Sequence, residues 1–314
     1  MRVVLAIDGS ISSARARDLV VGLPWPDGSS IRVVGVVEHG PALFGLPWIP
    51  VVPENAGAIE EDVVNRLTDA LLAAEHEIAR PALTVDHALL RGHAARAIVD
   101  EARTFGAELV VLGSRGHGGF ETMFLGSTSA EVVDHAPCPV LVVRDTRIGS
   151  IVLAEDGSTG ARDAAACVEE WPILATVPVT VVSVAEVAVP MGGATPGLYD
   201  QVMESYAESV DLARAEHREI ALRRADRLAR TGRAVQIEVR DGDAAAEIVT
   251  AAGERKTDLV VVGTRGHTGL TRMILGSVAR KVLTHAPCSV LVVREGVRPE
   301  PAAAVSVEPS SPAG

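Results

Sequence analysis

The stretch GSRGHGGFETMFLGSTSAEVVDHAPCPVLVVR, which begins at Gly113, returns as GTRGHTGLTRMILGSVARKVLTHAPCSVLVVR from Gly263, 150 positions further on. The opening recurs as well: VVLAIDGS over Val3 to Ser10 is matched by IVLAEDGS over Ile151 to Ser158. Solenoid repeats run about 20 to 50 residues, so a period this long describes whole domains laid end to end. A chain of 314 residues has room for two. The boundaries expected are 1–147 for the first, 148–296 for the second, and 297–314 for a tail. In that tail Pro and Ala dominate without periodicity, which is the composition of a disordered segment.

Within each half, short β-branched runs alternate with helical patterns, the signature of βαβ units feeding a parallel sheet. Strands are expected over 2–7, 31–37, 83–90, 107–112 and 138–143, then over 151–155, 178–185, 235–240, 257–262 and 288–293. Leu109 to Leu112 and Leu259 to Val262 are continuous apolar runs, as strands covered on both faces require. Ile59, Val63, Leu67 and Leu71 recur every four residues, so a helix lays one stripe on the sheet before the third strand. Its counterpart is expected from about Val202 to Arg230. The fold class is therefore α/β: two tandem, doubly wound, five-stranded parallel-sheet domains of Rossmann-like type. Two long segments, Pro41 to Pro53 and Val189 to Tyr199, follow the second strand of each half and read as binding rims or as solvated connectors.

Composition removes several classes. The net charge of −12 repels phosphate backbones and anionic lipid, so neither nucleic acid nor a membrane is an expected partner. No run of about 18 apolar residues is present, and Asp8 arrives too early for a signal peptide, so a cytoplasmic protein is expected. Cys138, Cys167 and Cys288 form no disulfide framework or metal pair and read as reduced, buried residues.

In an open parallel sheet, ligands lie outside the carboxyl ends of the strands where the chain order reverses. Asp8 with Gly113, and Asp156 with Gly263, fall at that point. Each loop spaces its glycines as G-x2-G-x9-G-S, through Gly113, Gly116, Gly126 and Ser127, then Gly263, Gly266, Gly276 and Ser277. Glycine lets main-chain N–H groups approach a ligand without a Cβ in the way. From Ser127 the sequence reads as a helix, so the last glycine and serine lie at a helix amino terminus that favours an anion. Thr128 adds a hydroxyl in the first half; Val278 takes its place in the second. The competing reading is a pair of turn glycines with an N-cap serine, but its occurrence twice in the same context favours phosphate. Asp8 and Asp156 are either turn carboxylates or ligands to ribose, adenine or a Mg²⁺ held through water. Arg115 and Arg265 meet phosphate or solvent; His117 and His267 contact an anion or bond the backbone. His135 and His285 close helices before Pro137 and Pro287, a structural role.

At these residues the chain resembles the universal stress protein family in its tandem form, over about Arg2 to Arg144 and Ile151 to Arg294. The match rests on the DGS after strand one, the glycine loop, and the PVLVV or SVLVV last strand. The resemblance implies a strand order of 3-2-1-4-5 and ATP binding, as in the members that keep the loop. It further implies that Asp8 and Asp156 lie at the adenosine end, that Val36 and Val184 meet adenine through backbone groups, and that the loops cradle the phosphates. The candidate nucleotide contacts are then Asp8, Gly9, Val36, Gly113, Ser114, Arg115, Gly116, His117, Gly118, Gly119, Gly126, Ser127 and Thr128. In the second half they are Asp156, Gly157, Val184, Gly263, Thr264, Arg265, Gly266, His267, Gly269, Gly276 and Ser277. The resemblance also implies that the last strands join the halves into a pseudo-dimer and that tandem chains associate as homodimers. Glu155 in place of Ile7, and Thr268 in place of Gly118, set the second site apart.

The function expected is that of a nucleotide-dependent stress-response regulator. The Walker lysine is absent and no base is placed to activate water, so turnover, if any, is slow. The alternatives are a slow ATP hydrolase or adenylate-using enzyme on the same site, and a scaffold that binds no nucleotide.

Overall fold

The computed structural model describes residues 1–38, 56–116, 125–187, 196–264, 275–294 and 296. Pro41 to Pro53, most of Val189 to Tyr199, and the tail from 297 lie outside them. Ten strands form one sheet in the order β3-β2-β1-β4-β5-β10-β9-β6-β7-β8. The first half contributes β1 (Arg2–Ala6), β2 (Ser30–Val37), β3 (Thr84–Arg91), β4 (Leu109–Gly113) and β5 (Val140–Val143). The second contributes β6 (Ile151–Ala154), β7 (Val179–Ala185), β8 (Val235–Asp241), β9 (Leu259–Gly263) and β10 (Ser289–Val293). Each half has the 3-2-1-4-5 order and is parallel throughout; the halves join where β10 runs antiparallel to β5, with Leu291 opposite Leu141.

Helices cover both faces. On one lie α1 (Ile11–Gly22), α2 (Ala56–Ile78), α5 (Thr159–Glu170) and α6 (Pro196–Ala229), over a core that includes Leu5, Ile31, Leu71 and Val181. On the other lie α3 (Ala94–Phe105), α4 (Ser127–His135), α7 (Ala244–Glu254) and α8 (Ser277–His285), over Val4, Val110, Val182 and Val260. Each core runs through both halves, so adjacent residues of one strand serve different layers, as the period of two dictates. In α2 the buried stripe is Leu67, Leu71, Ala74 and Ile78. Helix α6 begins at Pro196, earlier than the periodicity from Val202 indicates; its leading residues carry no apolar stripe to mark them.

The seam between halves is polar at its rim and approximately two-fold. Arg144 Nη1 donates to Cys288 O at 3.1 Å and Nη2 to Leu283 O at 2.5 Å, at the carboxyl end of α8. Arg294, 150 positions on, donates to Asp134 O at the end of α4. Cations there satisfy carbonyls that a helix end leaves without partners. His135 Nδ1 lies 2.9 Å from Glu131 O and His285 Nδ1 2.8 Å from Lys281 O, in agreement with their structural reading.

Candidate functional site

At the end of β1, Ile7 N donates to Val34 O at 2.9 Å and the strand stops. Asp8 and Gly9 form a turn, with Gly9 at φ +83, and Ser10 caps α1 by accepting from Ser13 N at 3.1 Å. Asp8 Oδ1 accepts from Ser10 N at 2.9 Å, so the turn role is real. Its other oxygen faces the glycine loop: a Cβ on Gly116 would stand 2.8 Å from Asp8 Oδ2. The turn role and the loop-facing position are thus held by different oxygens of one carboxylate.

Peptides on a strand alternate in direction. Because Val34 O points towards β1, the backbone groups of Val36 point the same way, past the place where β1 has ended. The second half repeats this: Glu155 N donates to Val182 O at 2.9 Å, which turns the backbone of Val184 to the corresponding side.

Hydroxyls tie the loop after β4 to the start of α1. Arg115 N donates to Ser12 Oγ at 3.2 Å, Ser12 Oγ lies 3.4 Å from Ser114 Oγ, and Ser10 Oγ donates to Arg115 O at 3.4 Å. The loop's ends are pinned together, since Gly126 N donates to Ser114 O at 2.9 Å and Ser129 Oγ to Gly113 O at 2.8 Å. Helix α4 then starts with Gly126 as N-cap and no side-chain capping bond. Ser127 is exposed and Thr128 half-buried at its first turn. An amino terminus without a side-chain cap, beside a loop folded back on a carboxylate, presents N–H groups and a positive dipole end to an anion.

Gly113 has another task. A Cβ there would lie 2.6 Å from the Ser12 carbonyl carbon, and on Gly263 one would lie 2.4 Å from that of Gly160. These glycines admit the backbone of α1 and α5 onto the sheet, so their side-chain space is taken by protein.

The second half reproduces the frame: Asp156 Oδ1 accepts from Ser158 N at 2.9 Å, Gly157 has φ +80, Gly276 N donates to Thr264 O at 2.8 Å, and Gly276 caps α8 without a side-chain bond. It differs at several positions: besides Val278 for Thr128, Ala279 stands in place of Ser129. Gly160 stands where the first half has Ser12, so no hydroxyl there ties loop to helix. Glu155, 4 % exposed, accepts Gly157 N at 2.9 Å and receives Arg224 Nε at 2.5 Å. Ser12, Ser129 and Arg224, the partner of the Glu155 already singled out, are the residues that reading motifs overlooks; comparing the halves position by position flags all three. His117, Gly118, Gly119, Arg265, Gly266, His267 and Gly269 lie outside the described residues.

Among the described residues, no cluster of three His, Cys, Asp or Glu side chains is arranged to hold a metal ion, and no helix is long and apolar enough to cross a membrane.

A sequence model of the universal stress protein family matches residues 1–144 and again 148–294. A universal stress protein of Mycobacterium bovis is 29% identical over 319 residues, spanning 93% of this chain and 97% of its own length. One from Thermus aquaticus is 35% identical over 143 residues, which is 45% of this chain and 97% of that protein. The crystal structure of a universal stress protein from Archaeoglobus fulgidus superposes with a TM-score of 0.61 at 17% identity, covering 94% of this chain and 98% of that one, a likeness of fold. With the family's pattern matched twice along its length, the chain belongs to the universal stress protein family.

Proposed function

We propose that the chain is an ATP-binding regulator whose first half holds the nucleotide between the β1 turn and the start of α4. The observation that carries this is the approach of Gly116 to Asp8 Oδ2, which leaves room for a ligand's backbone contacts but none for a side chain. The phosphates lie on the first turn of α4, with Ser127 and Thr128 adding hydroxyls, and the base lies against the backbone of Val36. The second half offers the same frame through Asp156, Val184, Gly276 and Ser277, and is the weaker site because Glu155 already occupies the Gly157 N–H. Mg²⁺ would arrive with the nucleotide: Asp8, with one oxygen engaged in the turn, would hold it through water, and the ion would offset phosphate charge.

The regulator works by occupancy. Ser114 N donates to Val143 O at 3.0 Å, and the next residue, Arg144, reaches across the seam, so the phosphate loop is one hydrogen bond from the junction of the halves. Both last strands are paired within the chain, so the homodimer that the family resemblance implies uses another surface. Its site of action is the cytoplasm.

Mass spectrometry of the purified protein after denaturation tests the reading. Recovery of ATP or ADP near one per chain supports it; a nucleotide-free protein that takes up none in a titration overturns it in favour of a scaffold. Gly126→Glu places a carboxylate at the phosphate position and abolishes first-site binding while the chain stays folded. Hydrolysis that vanishes in Asp8→Ala with binding intact would make the protein an enzyme.

A further inference from the structure

The second half carries a cavity of about 380 Å³ on the flank between the start of α5 and the middle of α6. Its wall holds Arg162, Arg223, Arg224 and Arg227, with Ile220, Glu155 and, from the turn after β6, Gly157. In a chain of net charge −12, four guanidinium groups around one hollow are a local concentration of positive charge.

The carboxylates nearby are already engaged. Glu155 receives Arg224 Nε at 2.5 Å, and Glu169 receives Arg224 Nη1 at 3.3 Å and Arg227 Nε at 2.8 Å. Arg223 pairs with Glu219 on the surface. Arg162 touches neutral oxygens among the described residues, Gly157 O at 3.3 Å and Thr159 Oγ1 at 2.9 Å. Four cations against these three anions leave a net positive charge. Each guanidinium has five N–H donors in a planar fork. The exposed Arg162, Arg223 and Arg227 commit only one or two apiece. At the positions 150 earlier than the four α6 residues stand Ala70, Ala73, Ala74 and Glu77, so this is no copy of a feature shared by the halves.

We propose that this cavity is a third anion site, which borders the second half's β6 turn at Gly157 but draws its cations from α5 and α6 rather than from the cradles at α4 and α8, and that it binds a compact diphosphate group. Forked guanidinium donors match phosphate oxygens bidentately. The volume lies near the lower end of small-molecule sites, roughly 300 to 1,000 Å³. Arg224, held from below by Glu155 and Glu169, is the fixed member; Arg162, Arg223 and Arg227 close from the rim.

The test uses the full chain carrying Gly126→Glu and Gly276→Glu, which blocks both cradles, titrated calorimetrically with inorganic pyrophosphate at constant ionic strength. One site per chain is expected, weakened tenfold or more by adding R162A and R223A, whose exposed side chains leave the melting temperature unchanged. No binding in the blocked chain, or binding indifferent to those two arginines, overturns the proposal. Competition by ADP in the blocked chain supports an esterified diphosphate as occupant, and its failure to compete supports the free anion. The site does not depend on the nucleotide reading, whose own failure is seen separately as an ATP stoichiometry that Gly126→Glu leaves unchanged.

Discussion

Glu155 and Arg224 meet inside the second half, Nε to Oε2 at 2.5 Å, with side chains 2% and 11% exposed. Their counterparts by position in the first half are Ile7 and Ala74, both buried in the core under α1 and α2. A hydrocarbon pair and an ion pair thus fill equivalent places. Removing Glu155 leaves Arg224 only its longer contact with Glu169 at 3.3 Å and frees one buried charge of its nearer partner, whereas replacing both members with apolar residues can cost little. Because Arg224 keeps Glu169, Glu155→Ile alone is expected to destabilise the protein by about 1–3 kcal/mol, and E155I/R224A by less than the sum of the two single losses. Denaturant unfolding of the two single variants and the double variant measures the coupling; additive losses would deny that the pair acts as a unit.

Gly113 and Gly116 look interchangeable in the G-x2-G motif, yet their surroundings differ. A Cβ at Gly113 meets backbone, the Ser12 carbonyl, while one at Gly116 meets a carboxylate oxygen. Gly113→Ala is therefore expected to cost about 1–3 kcal/mol of stability through overpacking. Gly116→Ala is expected to lower nucleotide affinity with a smaller change in melting. Thermal unfolding beside a nucleotide titration separates the two; equal stability losses would contradict the distinction.

That contrast shows how far reading the chain alone reaches. The apolar strands and the helix opening at Ser127 are local patterns, and each appears in the structure where the sequence reading puts it. The packing of Gly113 on Ser12 joins residues about 100 apart, and Arg224 lies 69 from Glu155; no motif links them, because only the sheet brings α1 to β4 and α6 to β6. The repeat offers one further signal. Where Ile7 becomes Glu155 and Ala74 becomes Arg224, the halves differ at two positions at once, as a buried charge and its partner must.

The three cysteines make a chemical prediction. Burial pushes the thiols of Cys138 and Cys167 up to about 12 and that of Cys288 to about 11, with neighbouring Arg294 and Arg144 opposing the shift at Cys138 and Cys288. The thiolate is the reactive form, so none should react with iodoacetamide at pH 8 in the folded protein, and all three should react in denaturant. Intact-mass measurement counts the adducts; rapid labelling of the folded chain would contradict the burial.

Asp243 caps α7, accepting from Ala246 N at 2.9 Å, and pairs with Lys281 of α8 at 2.8 Å. The hydrogen bond from Lys281, then that from Ala246, holds its carboxyl below the ordinary Asp value. A carboxyl lowered on folding binds fewer protons native than unfolded, so its contribution is present above the unfolded value, about 4, and is lost as pH falls through the folded one. Asn keeps the cap and loses the charge; Ala loses both. Asp243→Ala should cost about 1 kcal/mol at pH 7 and Asp243→Asn less, and the difference between wild type and Asp243→Asn should shrink on acidification below pH 4. Unfolding midpoints at pH 7, 5 and 3 test this. A gap between wild type and Asp243→Asn that widened on acidification would mean that the carboxyl titrates upward on folding and that the cation on α8 contributes nothing to it.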